Sequence, residues 1–478
     1  MTDRERLLRF GKIKPLAWKF AWPSIISMVV FTLYNLVDRI YLGQIPGVGS
    51  LAMAGVGITT PVMTVVFALA MLLGVGSSTL ISIKLGQKKP VEANRVFNNV
   101  FELVIIAAVT VMGLCWVLLK PILYGLGVDE TLLPFAEGYL LYVTGGFLFA
   151  NVGFFLVNCL RSIGHPKVAT VCNVAGTVIN LILDPVLIFG FKLGVQGAAV
   201  ATVISQLVSC GVAVGFYYWH RNELVLKIKR PNWRLDARII ARVAKIGFAP
   251  FAMQLMNCVL LILLNNLLVS YGGNAAVAMV TILMSIQALV TLPMLGYVQG
   301  QQPIIGFNYG AKAYQRVRET LFYALKVSLV FGVVGEILVQ LWPQILIRAF
   351  TNDVELIAAS TVGLRIFMGI VGLLGIRFVA AGFFQAVGNA KLTTILNLSW
   401  AILFLIWMLV GIPLTVPRWG LTSVWVGSLI GDGCALGLAG VLLWRAMKRI
   451  PLEDEDESEQ EEVLLDVVEC GYENSITQ

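Results

Sequence analysis

Twelve long apolar segments dominate this chain of 478 residues. Each can supply the roughly 20 apolar residues with which a helix crosses about 30 Å of hydrocarbon. A soluble core could not absorb this much apolar surface, since 58% of the residues are hydrophobic and only 13% are charged. The segments are continuous rather than alternating, which favours helices over a β-barrel. The sequence therefore predicts an all-α integral membrane protein with spans at 16–42, 51–83, 97–119, 133–160, 168–190, 195–219, 240–270, 276–305, 321–341, 356–385, 392–414 and 420–444.

Basic residues cluster in every second link between these segments. The link after span two holds Lys84, Lys88, Lys89 and Arg95, and the link after span six, HRNELVLKIKRPNWRLDARI, is basic as well. Cytoplasmic loops of membrane proteins are enriched in Lys and Arg, so these links and both termini are predicted to face the cytoplasm. The net charge of +8 then reflects orientation in the cell membrane, and no nucleic-acid partner is expected.

The two halves of the chain repeat each other at an offset of 224 residues. CLRSIGHPKVATVCN, which starts at Cys159, aligns with FFQAVGNAKLTTILN, and the same offset pairs Gly76 with Gly300 and Gly86 with Gly310. Six spans per half predict two six-helix bundles related by a pseudo-two-fold axis as parallel repeats. The predicted domains are an N-terminal lobe at 1–219, a cytoplasmic linker at 220–239, a C-terminal lobe at 240–450 and an acidic tail at 451–478.

Carboxylates inside the spans of the first half are the leading candidates for a functional site. Ionisable groups at membrane depth are costly and need a partner or a role. Asp38 and Asp184 both fall in the outer half of their spans, Asn180 is one helical turn from Asp184, and Thr202 lies at similar depth. With Asn35 these residues offer hard oxygen ligands. We therefore predict a cation site for H⁺ or Na⁺.

Other polar residues in the spans have plainer interpretations. Four charged residues of the second half are expected to form ion pairs between helices: Glu336, Arg365, Arg377 and Asp432. Pro23 can kink span one and is a candidate hinge, although many membrane helices carry prolines without such a role. Amide and methionine side chains suited to varied ligands predict a substrate cavity, with ordinary packing as the alternative for each, lined by Tyr139, Asn151, Asn158, Met253, Gln254, Asn257, Met284 and Gln287.

Signals of catalysis do not occur in the sequence. His165 and His220 both fall in links, and the chain has no HExxH, GxSxG or Walker A pattern. We therefore expect a protein that is not an enzyme, needs no cofactor and draws its energy from an ion gradient.

Several strings, in this order, resemble the multidrug and toxic compound extrusion (MATE) family. They are NLVDRIYLG in span one, NLILDP in span five and QGQQPIIGFNYGAK after span eight. The likeness covers nearly the whole chain and is closest to the prokaryotic DinF/MepA-like branch, in which the N-terminal lobe holds the coupling cation. It implies a V-shaped pair of bundles and points to Asp38, Asn180, Asp184 and Thr202. Gln254 stands where another branch carries a glutamate.

The resemblance implies a monomeric secondary antiporter in the cell membrane. It would export cationic or amphipathic small molecules in exchange for H⁺ or Na⁺, by alternating access, with the lipid bilayer as its environment. The alternatives are a flippase for lipid-linked sugars or a metabolite exporter of the same superfamily. A membrane enzyme or a channel is disfavoured by the missing catalytic groups and by the two-lobed repeat.

Overall fold

Every regular element in the described part of the chain is a helix. The computed structural model describes residues 3–229, 233–351, 353–449, 451 and 454, and for a few residues inside these ranges it describes the backbone alone. The helices are α1 (Asp3–Phe10), α2 (Ile13–Gly43), α3 (Gly49–Gly86), α4 (Pro90–Val117), α5 (Leu119–Gly125), α6 (Leu133–Thr144), α7 (Phe147–Ser162), α8 (Pro166–Pro185), α9 (Gly194–Trp219), α10 (Ala237–Gly310), α11 (Tyr314–Leu341), α12 (Pro343–Arg348), α13 (Val354–Phe367), α14 (Val371–Ala386), α15 (Ala390–Ile406), α16 (Ile412–Trp419) and α17 (Thr422–Arg449).

The number of spans agrees with the sequence. Among the described residues, nine helical stretches are long and apolar enough to cross a membrane, and two bent helix pairs, α6 with α7 and α13 with α14, add two more. The 31-residue α2, which is outside that count, completes twelve. We call α2–α9 the first bundle and α10–α17 the second bundle, and the all-α two-bundle prediction is confirmed. The domain boundaries stay predictions, and 451–478 lies outside the described residues except for 451 and 454.

One glycine divides α10 into two antiparallel spans. Gly273 has φ 60° and ψ −158°, a backbone conformation that only glycine adopts without strain. The apolar stretches on its two sides are Ala237–Tyr271 and Met279–Gly310. A turn of this kind lets span seven return directly as span eight.

The internal repeat extends to the irregularities of the helices. α6 and α7 meet at a 50° bend, and α13 and α14 meet at a 48° bend, at places about one repeat offset apart. α8 continues into a π-helical segment, Val186–Gly190, and α15 continues into another, Trp407–Gly411. Because both halves share these features, they belong to the backbone architecture rather than to one local sequence.

Among the described residues, the two bundles share apolar cores at one end of the molecule only. We call this the basic end, because it carries the basic links that follow α3 and α7. There, first-bundle residues cluster with Val243 and Phe307 of α10, while Ala21 and Ile25 of α2 join a second-bundle cluster. At the opposite end each bundle has a core of its own. The bundles are therefore joined at the basic end and separate at the other.

Glycines make this junction tight. A Cβ atom on Gly86 would clash with the carbonyl oxygen of Phe307, and one on Gly310 would clash with that of Ile83. Gly247 approaches the backbone of Leu72 just as closely. Small residues let membrane helices pack backbone to backbone, so α3 and the two arms of α10 seal the basic end.

The link between the bundles is bound to α4 at several points. Asn94 accepts a hydrogen bond from the backbone N–H of Lys227 at 2.9 Å, and Asn98 accepts one from that of Lys229 at 2.8 Å. Asn98 also donates to the Lys227 carbonyl at 3.0 Å. Arg95 pairs with Asp236 at 2.9 Å where the link enters α10. The described part of 220–239 is thus a docked segment.

Candidate functional site

A cavity of about 1370 Å³ lies between the two bundles. Helices α2, α3, α6, α7, α8 and α9 supply one wall, and α10, α14 and α15 supply the other. Its lining is mostly apolar with many hydroxyl and amide groups, and among the described lining residues only Asp38, Arg39 and Arg161 are charged. Because the bundles are sealed at the basic end, the cavity is bounded there by protein.

Four of the five predicted cation ligands come together on the first-bundle side of this cavity. Asp38, Asn180 and Thr202 line it, and Asp184 lies directly behind Asn180, whose Nδ2 donates to Asp184 Oδ1 at 3.3 Å. Asn180 and Asp184 are each 1% exposed, and Thr202 is 4% exposed. Asn180 and Asp184 are four residues apart on α8, so their side chains lie on one helix face. The fifth candidate, Asn35, lies in α2, but its side chain is outside the described part of the structure.

Each of the four residues in this cluster has one oxygen without a hydrogen-bond partner. Four buried oxygens accept or donate no hydrogen bond: Asp38 Oδ1, Asn180 Oδ1, Asp184 Oδ2 and Thr202 Oγ1. The charge of Asp38 also acts on the carboxyl of Asp184. Buried polar groups are usually satisfied, and two nearby carboxylates repel each other. A proton or a small cation among these oxygens would relieve both penalties, since carboxylate, amide and hydroxyl oxygens are the ligands that hard cations prefer.

The repeat provides no second copy of this cluster. Asp184 is two residues before the π-helical segment that follows α8, and such segments are often found at functional sites. One repeat offset later, at the second π-helical segment, stands Met408, which is fully buried in the second-bundle core. The backbone is repeated there, but the acidic side chain is not.

The predicted cavity residues fall into two groups. Tyr139, Asn151 and Asn158 line the cavity. Five others do not, namely Met253, Gln254, Asn257, Met284 and Gln287. The lining face of the first arm of α10 runs through Cys258, Leu261, Ile262 and Asn265, and Asn257 is about 100° away from Cys258 around the helix. Met253 and Met284 pack against the second-bundle core instead.

Several residues that line the cavity were not predicted from the sequence. Asn173 and Thr177 line the cavity from α8, on the same helix face as Asn180. Their spacing of four and three residues is the signal that could have identified them. Arg161 is one residue beyond the predicted span 133–160 and lies in the last turn of α7. Its place on the cavity wall depends on the packing of α7 and could not be read locally.

Pro23 lies buried within a continuous α2. The Thr170 hydroxyl donates to the Pro23 carbonyl at 2.7 Å and accepts from Ser27 Oγ at 3.2 Å. α8 therefore contacts α2 at the proline, where one intrahelical hydrogen bond is missing. Bending at this position stays a prediction.

Charged groups of the second bundle are structural. Arg377 and Asp432 form an ion pair at 3.0 Å, which confirms that expectation, and Arg377 also lies over the Trp400 ring. Glu336 instead accepts a hydrogen bond from the backbone N–H of Gly372 at 3.1 Å, at the start of α14. Among the described residues, the second bundle contributes no carboxylate to the cavity lining.

Two repeated helix bundles on either side of a central cavity are an architecture found in many membrane transporters. The MatE family model matches residues 23–186 and 250–417, and the chain therefore belongs to the MATE family of membrane transporters rather than to an enzyme class.

Relatives agree with this assignment over most of the chain. The multidrug export protein MepA of Staphylococcus saprophyticus is 28% identical over 377 residues, which are 79% of this chain and 82% of MepA. MepA of Staphylococcus haemolyticus is 26% identical over 91% of this chain and 94% of its own. A solved structure of the multidrug transporter DinF-BH with R6G is 33% identical, with a TM-score of 0.83 over 91% of this chain and 97% of that one. An outward-facing MATE structure, 23% identical, shares the fold with a TM-score of 0.85 over 94% and 99% of the two chains.

Proposed function

We propose that this protein is a cation-coupled antiporter that exports cationic or amphipathic small molecules from the cell in exchange for H⁺ or Na⁺. The multidrug export proteins among its relatives support the substrate class. The basic end faces the cytoplasm with both termini, because Lys and Arg concentrate on the cytoplasmic side of membrane proteins. The protein acts as a monomer, since one chain supplies both walls of the cavity.

The observation that carries this proposal is the group of unpartnered oxygens on Asp38, Asn180, Asp184 and Thr202. An ion that binds here stabilises the conformation in which α2, α8 and α9 lie close together. An ion can drive transport only through different affinities for two conformations. When no ion is bound, repulsion between the two carboxylates disfavours the conformation in which α2, α8 and α9 lie close together. Binding and release of the ion therefore change which of the two conformations is the more stable.

α2 connects this ion site to the basic end. Asp38 lies about 22 Å along the helix from Pro23, at about 1.5 Å per residue. The missing hydrogen bond at Pro23 makes bending there less costly than elsewhere in α2. Ion binding at Asp38 therefore bends α2 near Pro23, reshapes the cavity and displaces the substrate outward. With the basic end in the cytoplasm, the closed junction corresponds to an outward-open state.

The test is dye efflux from proteoliposomes under separately imposed Na⁺ and pH gradients. We expect one gradient to drive efflux in the wild type, and Asp38→Asn or Asp184→Asn to abolish it. Asp353→Asn is the matched control, because Asp353 caps α13 at its exposed N-terminus and asparagine caps equally well. Full gradient-driven efflux by Asp38→Asn would disprove the coupling site.

A flippase for lipid-linked sugars or a metabolite exporter would share this architecture. Translocation of a fluorescent lipid-linked sugar by the same proteoliposomes, without dye efflux, would favour the flippase over the proposed antiporter.

A further inference from the structure

Arg161 is a cavity residue without a partner. It lies in the last turn of α7, is partly buried, and lines the cavity next to Ser162. Its Nε is buried without a hydrogen bond, and in the described residues no carboxylate lies within ion-pair distance of its guanidinium. Two other arginines, Arg95 and Arg377, are paired with Asp236 and Asp432. A buried or half-buried guanidinium is costly unless it is paired and hydrogen-bonded.

The repeat shows that this position does not require a charge. Gln385 stands one repeat offset after Arg161, lines the same cavity, and donates its Nε2 to the carbonyl of Ile246 at 3.1 Å. The amide nitrogen of Gln385 is hydrogen-bonded within the protein, with its Oε1 left without a partner, whereas the Arg161 guanidinium makes no ion pair with any described residue. An arginine whose role was only membrane orientation would extend to the headgroups, but Arg161 instead lines the cavity between the bundles.

The charges of the cavity are separated along its length. Arg161 lies toward the sealed basic end, while Asp38 lies toward the opposite end of α2. Arg39, the third charge, has an exposed side chain beside Asp38. The cavity wall between Arg161 and Asp38 includes an aromatic pair, Phe67 and Phe154, whose rings pack edge to face at 5.5 Å. An apolar molecule with an acid at one end and an amine at the other would match this arrangement.

We propose that Arg161 is a substrate-binding residue that pairs with a carboxylate, so that the preferred substrates are amphipathic zwitterions rather than simple cations. The inference rests on the proposed export function and deepens it. The planar guanidinium presents two parallel N–H donors to a carboxylate, which is the strongest common pairing of these groups. An ester of the same molecule offers neither the charge nor the second equivalent acceptor.

Two dyes of one skeleton provide the test: a rhodamine methyl ester, which is a monocation, and its free acid, which is a zwitterion. Binding of each to the purified, detergent-solubilised protein is followed by fluorescence anisotropy. We expect the wild type to bind the acid more tightly than the ester. Arg161→Gln, which introduces the residue found at the repeat mate, should weaken acid binding about tenfold or more and ester binding less than about twofold. Arg161→Lys should retain most of the preference.

Arg221→Gln is the control, because it removes one positive charge from an exposed link residue outside the cavity. Ester binding by Arg161→Gln reports that the variant is folded. Equal weakening of both dyes, or no change in either, would overturn the inference. Binding is independent of ion coupling, so loss of gradient-driven efflux with an intact acid preference would count against the antiporter and not against Arg161.

Discussion

At the scale of single residues, the two bundles use buried charge differently. In the first bundle, Asp38 and Asp184 keep oxygens that no protein group satisfies, and these oxygens are available to an ion. In the second bundle, Arg377 and Asp432 satisfy each other and are 13% and 4% exposed. A buried charged group without a partner lowers the stability of the fold but can bind an ion. A buried charged group that is already paired cannot bind one without breaking its pair. Only the first arrangement suits a transported or coupling ion.

The Arg377–Asp432 pair should behave as a structural unit. We expect Asp432→Leu to lower the free energy of unfolding by about 3 kcal/mol, because it leaves Arg377 buried without its counter-ion. The double variant Arg377→Met/Asp432→Leu should recover most of this loss. Thermal unfolding in detergent measures both. A double variant as unstable as the sum of the single variants would show that the two groups do not act through each other.

At the scale of elements, the breaks in helices are supported by specific side chains. α13 and α14 meet at a bend, and the first turn of α14 would present free N–H groups to the membrane interior. Glu336 on α11 accepts one of them, from Gly372, and its negative charge lies at the favourable end of the α14 dipole. A broken span is tolerated in a bilayer when a neighbouring helix satisfies the freed backbone groups.

Glu336→Ala should therefore destabilise the second bundle. The lost hydrogen bond leaves the N–H of Gly372 unsatisfied, at a cost of about 1–3 kcal/mol. Glu336→Gln keeps an acceptor oxygen and should cost less than half as much. The apparent melting temperatures of the two variants, measured in the same detergent, show which substitution destabilises the protein more. Equal loss in both would mean that the charge, not the hydrogen bond, carries the effect.

At the scale of the whole molecule, the junction at the basic end determines which side of the cavity is accessible. α3 and the two arms of α10 meet there through glycines, while the opposite ends of the bundles have separate cores. The alternating access proposed above requires this junction to open. At these points of closest approach glycine meets backbone, so the helices can separate there without leaving large side chains unpacked.

A cross-link across the junction should stop transport. A Cβ built on Gly306 lies 3.2 Å from the Cβ of Ser82, close to the range of about 3.5–4.5 Å that a disulfide spans. We expect Ser82→Cys/Gly306→Cys to lose dye efflux on oxidation and to regain it on reduction. Each single cysteine variant, oxidised in the same way, is the control. Unchanged efflux by a fully cross-linked protein would contradict alternating access at this junction.

The sequence by itself determined the features that depend on local pattern and on the bilayer. The twelve membrane spans follow from the lengths of the apolar segments, and the repeat follows from one sequence offset. The proximity of Asn180 to Asp184 follows from helical spacing. These features need no knowledge of neighbouring helices. The candidate site was predicted in the same way, because few carboxylates occur at membrane depth.

Only the tertiary structure decided which faces of the helices meet. One residue changes the direction of a side chain by about 100°, so the depth of Asn257 or Met284 was no guide to whether it lines the cavity. The asparagines that bind the interbundle link, the Glu336 cap and the position of Arg161 depend equally on contacts between segments far apart in the chain. Their common physical reason is helix rotation and packing, which local sequence does not encode.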